Sequence, residues 1–427
     1  MKQKVVKFLK QVLTMALAIV LCLGTALPAL AAPTPVTGGS EGNHAKITLK
    51  KTLNLADNLT VPSATFQYTL TPEDIDGDDE QITVMPAISV SDITFSSTDT
   101  AASTEDGVAS YSKESAAFPA NSVTFPRAGV YTYTLAETPN TYIPGATETI
   151  TYDNATYIVK LYVKNGSNGC YVDTVEAWTT DDAGQPEAKI DPTPGSSDME
   201  FVNNYSKTTG SEDPCESISN LRLLKTVAGD YADKSKYFTF TVKVTAPSSA
   251  PAATYKAYVA NYDPTRDTYT VVTSPDNYSG TIQNDTYGNY IEFTSGINET
   301  IKLKHYQTLI FADMPIGTFY EMQEAATPDY KGKVDLNQGG TITSYTAPGE
   351  NMAVSTNDAN SGNEARIVQT QSWNAAAFEN EHAAAPITPT GVIIDNLPFI
   401  LLLAVAVGAL ILFVAVKARR RRGYTSR

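Results

Sequence analysis

The chain has 427 residues, with 31 Lys and Arg against 46 Asp and Glu. Most of the positive charge not balanced by acid sits at the two ends, which leaves 21 basic and 45 acidic residues between 32 and 390, a net charge of −24. An acidic surface of that size argues against nucleic acid and anionic membrane surfaces as partners and suits a solvated extracellular chain.

At the N-terminus Lys2, Lys4, Lys7 and Lys10 precede an uncharged, apolar run from Val12 to Leu27, then Pro28 and the small-residue stretch Ala29-Leu30-Ala31. Charged start, short apolar core and A-x-A site are the three parts of a secretory signal peptide, expected over 1–31. Cys22 would leave with it; Leu21 stands where a lipoprotein needs a small residue. A linker is expected over 32–44. The remaining chain, long enough for two or three domains, is rich in Thr, Tyr, Val and Ser. Its short alternating runs are separated by Gly, Pro, Asn and Asp, which predicts an all-β protein built of sandwiches.

Within it one pattern occurs twice. The first unit opens on Ile47-Thr48-Leu49-Lys50-Lys51-Thr52-Leu53 and the second on Leu221-Arg222-Leu223-Leu224-Lys225-Thr226-Val227. Alternate residues of a strand share a face. Ile47, Leu49, Lys51 and Leu53 therefore lie together, as do Leu221, Leu223, Lys225 and Val227, and each unit sets a lysine on its apolar side. Lys50, the neighbour of Lys51, has outward parity. An aromatic strand follows in both, Phe66 to Leu70 and Phe238 to Val242. Later strands, Tyr131 to Glu137 and Phe319 to Glu324, place Glu137 beside Tyr133 and Leu135, and Glu324 beside Tyr320 and Met322. The units end on Phe201-Val202-Asn203-Asn204-Tyr205 and Phe378-Glu379-Asn380. Lys51 to Asn203 is 152 residues and Lys225 to Asn380 is 155. A buried Lys–Glu ion pair would account for two of these residues in either unit alone. It leaves the asparagine in phase at both ends unexplained.

Toward the C-terminus, Leu397 to Val416 is twenty residues without a charge, enough to cross a bilayer as a helix. Lys417, Arg419, Arg420, Arg421 and Arg422 follow, and the positive-inside rule keeps such a tail, 417–427, in the cytoplasm. Just before lies Ile387-Thr388-Pro389-Thr390-Gly391, within 385–391. Motif, apolar helix and basic tail in that order resemble the cell-wall sorting signal of sortase substrates, in an x-x-Pro-Thr-Gly form rather than Leu-Pro-x-Thr-Gly. The resemblance implies cleavage between Thr390 and Gly391, with Thr390 passed as a thioester to an amine.

The Lys-x-Leu/Val start, the Tyr-x-Leu/Met-x-Glu strand and the Phe-x-Asn end resemble Gram-positive, sortase-assembled major pilins, the shaft or T-antigen type, with Cna-B-type isopeptide domains. The likeness covers nearly the whole chain. It implies two tandem Ig-like β-sandwiches, 45–207 and 219–384, joined by a linker over 208–218. It also implies spontaneous Lys51–Asn203 and Lys225–Asn380 amides, assisted by Glu137 and Glu324. In that chemistry burial lowers the lysine pKa and raises that of the glutamic acid. The protonated acid then donates to the asparagine carbonyl and passes a proton to the departing ammonia. The reaction would occur once per domain, so no enzyme activity is expected. Implied partners are a pilus (class C-like) sortase, further copies joined head to tail, minor pilins and peptidoglycan, at the cell surface, with membrane contact only through the C-terminal helix before processing. A wall-anchored adhesin or basal pilin, attached once, is the alternative.

Polymerisation needs an acceptor lysine. A Tyr-Pro-Lys motif is absent, and Lys189 and then Lys207 are the candidates. Cys170 and Cys215 remain after processing, and either a disulfide or two free thiols is open. Asp74, Asp76, Asp78, Asp79 and Glu80 crowd one loop, but Gly77 is misplaced for a calcium-binding EF-hand, which favours a solvated turn. His44, His305 and His382 lack metal spacing, so no metal and no cofactor is expected.

Overall fold

The computed structural model describes residues 35–210, 212–216, 220–251, 254–273, 278, 280–361, 363–369, 374–382 and 390–422. The expected signal peptide and the motif residues Ile387, Thr388 and Pro389 lie outside them.

In chain order the first domain contains β1 (Val36–Thr37), β2 (Lys50–Ala56), β3 (Ala64–Ile75), β4 (Ile93–Phe95), β5 (Ser103–Glu105) and β6 (Val108–Glu114). It continues with β7 (Gly129–Thr138), β8 (Glu148–Thr151), β9 (Thr156–Asn165), β10 (Cys170–Thr180), β11 (Pro186–Ile190) and β12 (Glu200–Lys207). One sheet runs β1-β10-β9-β7-β3-β4 with β11 beside β10, and the other runs β5-β6-β2-β12-β8. The alternation read from sequence sets their facing sides. Ile47, Leu49, Leu53, Phe66, Tyr133, Leu135 and Phe201 are fully buried between them.

The second domain repeats the plan with β13 (Leu221–Ala228), β14 (Phe238–Thr245), β15 (Thr254–Asp263), β16 (Thr268–Val271), β17 (Ile282–Asp285), β18 (Gly288–Thr294) and β19 (Asn298–Leu303). After these come β20 (Gln307–Phe311), β21 (Phe319–Glu324), β22 (Tyr330–Gln338), β23 (Thr341–Thr346), β24 (Val354–Ser355), helix α1 (Thr356–Ala359), β25 (Ala365–Arg366) and β26 (Asn374–His382). Its larger sheet runs β17-β18-β15-β20-β13-β26-β22-β23 with β16 beside β15, and the smaller runs β19-β14-β21-β24 with β25 beside β21.

The same unusual pairing organises both domains. First and last strands of the repeat are parallel neighbours: β2 with β12, Lys51 opposite Phe201, and β13 with β26, Lys225 opposite Phe378. In each case the asparagine lies two residues beyond the lysine's partner, which puts both side chains on the inward face. Parallel neighbours cannot be joined by a tight hairpin and require a long connection. Here the connection is the rest of the domain.

Neither expected linker is a free tether. Val36 and Thr37 pair with β10, and His44 is buried with its ring bridging Val123 and Val172. Gly39 passes so close to the backbone of Val172 that a Cβ there would overlap it. On the other side, Thr209 N–H donates to the Met314 carbonyl (2.9 Å) and Ile316 N–H to that of Lys207 (2.8 Å). Ile316, from the turn before β21, joins the hydrophobic core of the first domain. Arg366 ion-pairs with Asp57 at 2.6 Å and donates to the Gly107 carbonyl at 3.2 Å, lying over the Phe319 ring.

Helix α2 (Thr390–Arg422) contains the expected 397–416 span. Among the described residues no helix is long and apolar enough to cross a membrane. Thr390 and Gly391 open its first turn.

Candidate functional site

Each domain seals a lysine, a glutamate and an asparagine between its sheets. The lysine and asparagine come from the parallel first and last strands, and the glutamate reaches across from the facing sheet. In the first domain Lys51 and Asn203 are fully buried and Glu137 nearly so. Lys51 Nζ lies 2.8 Å from Glu137 Oε1 and 2.9 Å from Oε2. Asn203 Nδ2 donates to that same Oε1 at 2.8 Å. One carboxylate oxygen thus touches both nitrogens. Phe66 walls the lysine, its ring centroid 4.8 Å from Nζ, and Tyr68 and Phe201 close the side. Lys50 points outward to Glu200, 3.1 Å away.

The second domain has Lys225 Nζ 3.1 and 3.3 Å from the Glu324 oxygens and 2.6 Å from Asn380 Oδ1. Phe238 and Phe240 pack over this amine. Burial pulls both lysines down to about 8 against the pull of their glutamates. It pushes Glu137 and Glu324 above the usual carboxylate range, with the lysines opposing. Each amine therefore sheds its proton more readily than a surface lysine would.

The expected glutamic acid to asparagine-carbonyl contact is replaced by another. Glu137 faces the amide nitrogen of Asn203, while the carbonyl oxygen accepts the backbone N–H of Asp153 at 2.8 Å. Asn380 likewise hydrogen-bonds Glu324 and gives its oxygen to the lysine. A carboxylate set against two nitrogens is placed to carry a proton between them, rather than to polarise a carbonyl.

Among the other expected residues, Lys189 pairs with Glu176 beside Trp178 on the outer face of the first domain. Lys207 lies at the inter-domain joint, 3.7 Å from Glu148. The possible disulfide is not formed. Cys170 opens β10 next to Asn165, Cys215 lies against the second domain near Val271, and both are free thiols. In the acidic loop, Asp76 is taken up by Arg127 at 2.6 Å and by Val130 N–H. Asp153 and Tyr157, which shape the Asn203 site, were not anticipated.

Fold and site together define a class: tandem all-β domains, each with a buried Lys–Glu–Asn centre bridging its first and last repeat strands. Residues 47–206 match the family described as the Spy0128-like isopeptide containing domain, FctA. Residues 219–359 match a domain of unknown function, DUF7601, and that match ends before β26 and Asn380. No curated protein matches the chain. Among solved structures it is similar to the major pilin of Streptococcus pyogenes, at 18% identity over 79% of this chain and 99% of that one, with a TM-score of 0.31. The T-13 major pilin of the same organism gives 20% identity over 82% and 100% with a TM-score of 0.29. A pilus-presented adhesin, Cpa, gives 19% over 54% and 37% with a TM-score of 0.24. At those scores the family match over 47–206 carries the relationship. The chain resembles the Gram-positive major pilins.

Proposed function

We propose that the chain is the shaft subunit of a covalent surface pilus, with each domain closed by its own Lys–Asn amide. The observation that carries this reading is the recurrence, in two domains, of lysine and asparagine on paired first and last strands around one buried glutamate. In the first domain, the neutral Lys51 amine attacks Asn203 Cγ while Glu137 acts as carboxylate. Glu137 takes a proton from Nζ and returns one to Nδ2; the C–Nδ2 bond breaks and ammonia leaves. Holding the reactants together in a fixed pocket supplies most of the acceleration. Lys225, Glu324 and Asn380 do the same in the second domain. Closing a loop of this length contributes about 5 kcal/mol, by analogy with disulfides.

In this reading the N-terminal signal exports the chain, 397–416 holds it in the membrane, and a pilus sortase transfers Thr390 to a lysine of the next copy. Lys189 and then Lys207 are the candidate acceptors, their side chains about equally exposed. Minor pilins and peptidoglycan complete the assembly. Wall extracts boiled in detergent should give a ladder of high-mass species reacting with antibody to this chain. A single band would instead support a surface protein attached once. Intact mass tests the amides separately: two ammonia losses are expected, with Glu137→Ala and Glu324→Ala each abolishing only its own.

A further inference from the structure

The two asparagines differ in what holds the carbonyl oxygen, the atom on which negative charge develops when an amine adds to the amide. Asn380 Oδ1 accepts from Lys225, the attacking group itself. Asn203 Oδ1 accepts from the backbone N–H of Asp153. Asparagine oxygen and nitrogen are told apart by their partners. With Asp153 N–H on one side and the Glu137 carboxylate on the other, the Asn203 amide has one orientation.

That donor is aimed by a built loop. Strand β8 pairs with β12 from Asn204 to Lys207 and ends at Thr151, so on the side away from β2 strand β12 has no partner strand alongside the reacting residue. The Asp153 carboxylate takes the place of a strand there, accepting Val202 N–H at 2.7 Å and Ala155 N–H at 2.9 Å. Tyr157 continues the substitution, its hydroxyl donating to the Glu200 carbonyl and accepting Glu200 N–H. The backbone of residue 153 is thereby tied to the residue directly before Asn203.

We infer that the Asp153 backbone N–H is an oxyanion donor for amide formation in the first domain, with the Asp153 carboxylate as the positioning group that aims it. The inference rests on the coupling of Lys51 to Asn203 proposed above. As Nζ adds to Cγ, the carbonyl electrons move onto Oδ1 and the N–H receives the charge. As Nδ2 leaves with the proton from Glu137, those electrons return and the donor relaxes. Removing one such donor from an acyl-transfer site slows reaction about 100- to 1,000-fold. Loosening it through its anchor should cost about tenfold or more. The second domain, with Gly332 across from Asn380 and the lysine on its oxygen, is an internal control.

The test uses the full chain, held in denaturant since synthesis and refolded in detergent, with crosslinked peptides from each domain quantified by mass against time and pH. Asp153→Ala should slow first-domain coupling about tenfold at every pH, with Asp153→Asn intermediate and the second domain unchanged. The pH midpoint, set by Lys51, should not climb, because loss of the Asp153 charge, which favours the protonated amine, moves it down. An unchanged first-domain rate overturns the assignment. So does a midpoint that climbs toward the ordinary lysine range with the rate recovering at high pH, because the change would then have merely wetted the site. If the unaltered chain never couples Lys51 to Asn203, the proposed function fails for that domain, a different result from slow coupling. Should Asp153→Ala not fold, amide exchange in the Glu137→Ala chain decides: Asp153 N–H should be protected there and lose protection on adding Asn203→Ala, and a freely exchanging amide overturns the donor role.

Discussion

Lys51 and Lys225 are buried amines whose ordinary charge has become costly, and in the proposed coupling that cost makes them nucleophiles. With Glu137 acting as carboxylate, the amine must shed a proton before it can attack. First-domain coupling should therefore rise with pH and level off above about 8, the value to which burial pulls Lys51. Refolding the uncoupled chain across pH and counting ammonia losses measures this. A rate that falls again above 8 would mean that protonated glutamic acid is required. The same pocket contains a hydroxyl with no task. Tyr68, paired with Glu137 across β3 and β7, is buried, and its OH has no hydrogen-bond partner among the described residues. The second domain has Phe240 opposite Glu324 at the corresponding place. Tyr68→Phe should leave coupling intact and stabilise the uncoupled domain by about 1 kcal/mol, read by urea unfolding in the Glu137→Ala background.

At the scale of strands, much was legible beforehand. The period-two runs around Lys51, Glu137, Lys225 and Glu324 place these residues among apolar neighbours on one face, and the folded chain buries the same faces. Alternation speaks only of a strand's own two sides. It does not say which strand lies alongside, so the parallel pairings of β2 with β12 and of β13 with β26 had to be seen. Asp153 shows the other limit. It stands in a Tyr-Asp-Asn-Ala turn, where an aspartate usually caps its own loop. Nothing local marks it as facing a residue fifty positions on. Val36 and Thr37 were read as linker because a two-residue strand is too short to show a period. Close packing near the second site points to a further outcome. Gly332 on β22 lies opposite Asn380, and a Cβ there would come within 2.8 Å of Val354 Cγ1. Gly332→Val should destabilise the second domain by about 1–3 kcal/mol through forced repacking. Thermal unfolding of a Glu324→Ala chain would measure it without the amide masking the loss.

For the molecule as a whole, the joint between domains is packed rather than tethered. Ile316 is 3% exposed within the first domain's core although it belongs to the second, and Arg366 ties the rim to Asp57 and Gly107. Ile316→Asp would bury a carboxylate without a counter-charge and should cost about 3 kcal/mol. The expected signature is new protease sensitivity in 208–218 together with two calorimetric transitions in place of one. A variant that still melts as a single unit and resists cleavage would show that the two domains do not depend on this contact.

The direction of the first and last strands has a geometric result that holds whether or not any amide forms. Because β2 and β12 run the same way, the polypeptide enters the first module at one pole and leaves at the other, and β13 and β26 do likewise in the second. Had these pairs been antiparallel, each module would have returned the chain to its starting side, and successive modules would have clustered. Arranged as they are, every added module adds length instead of girth.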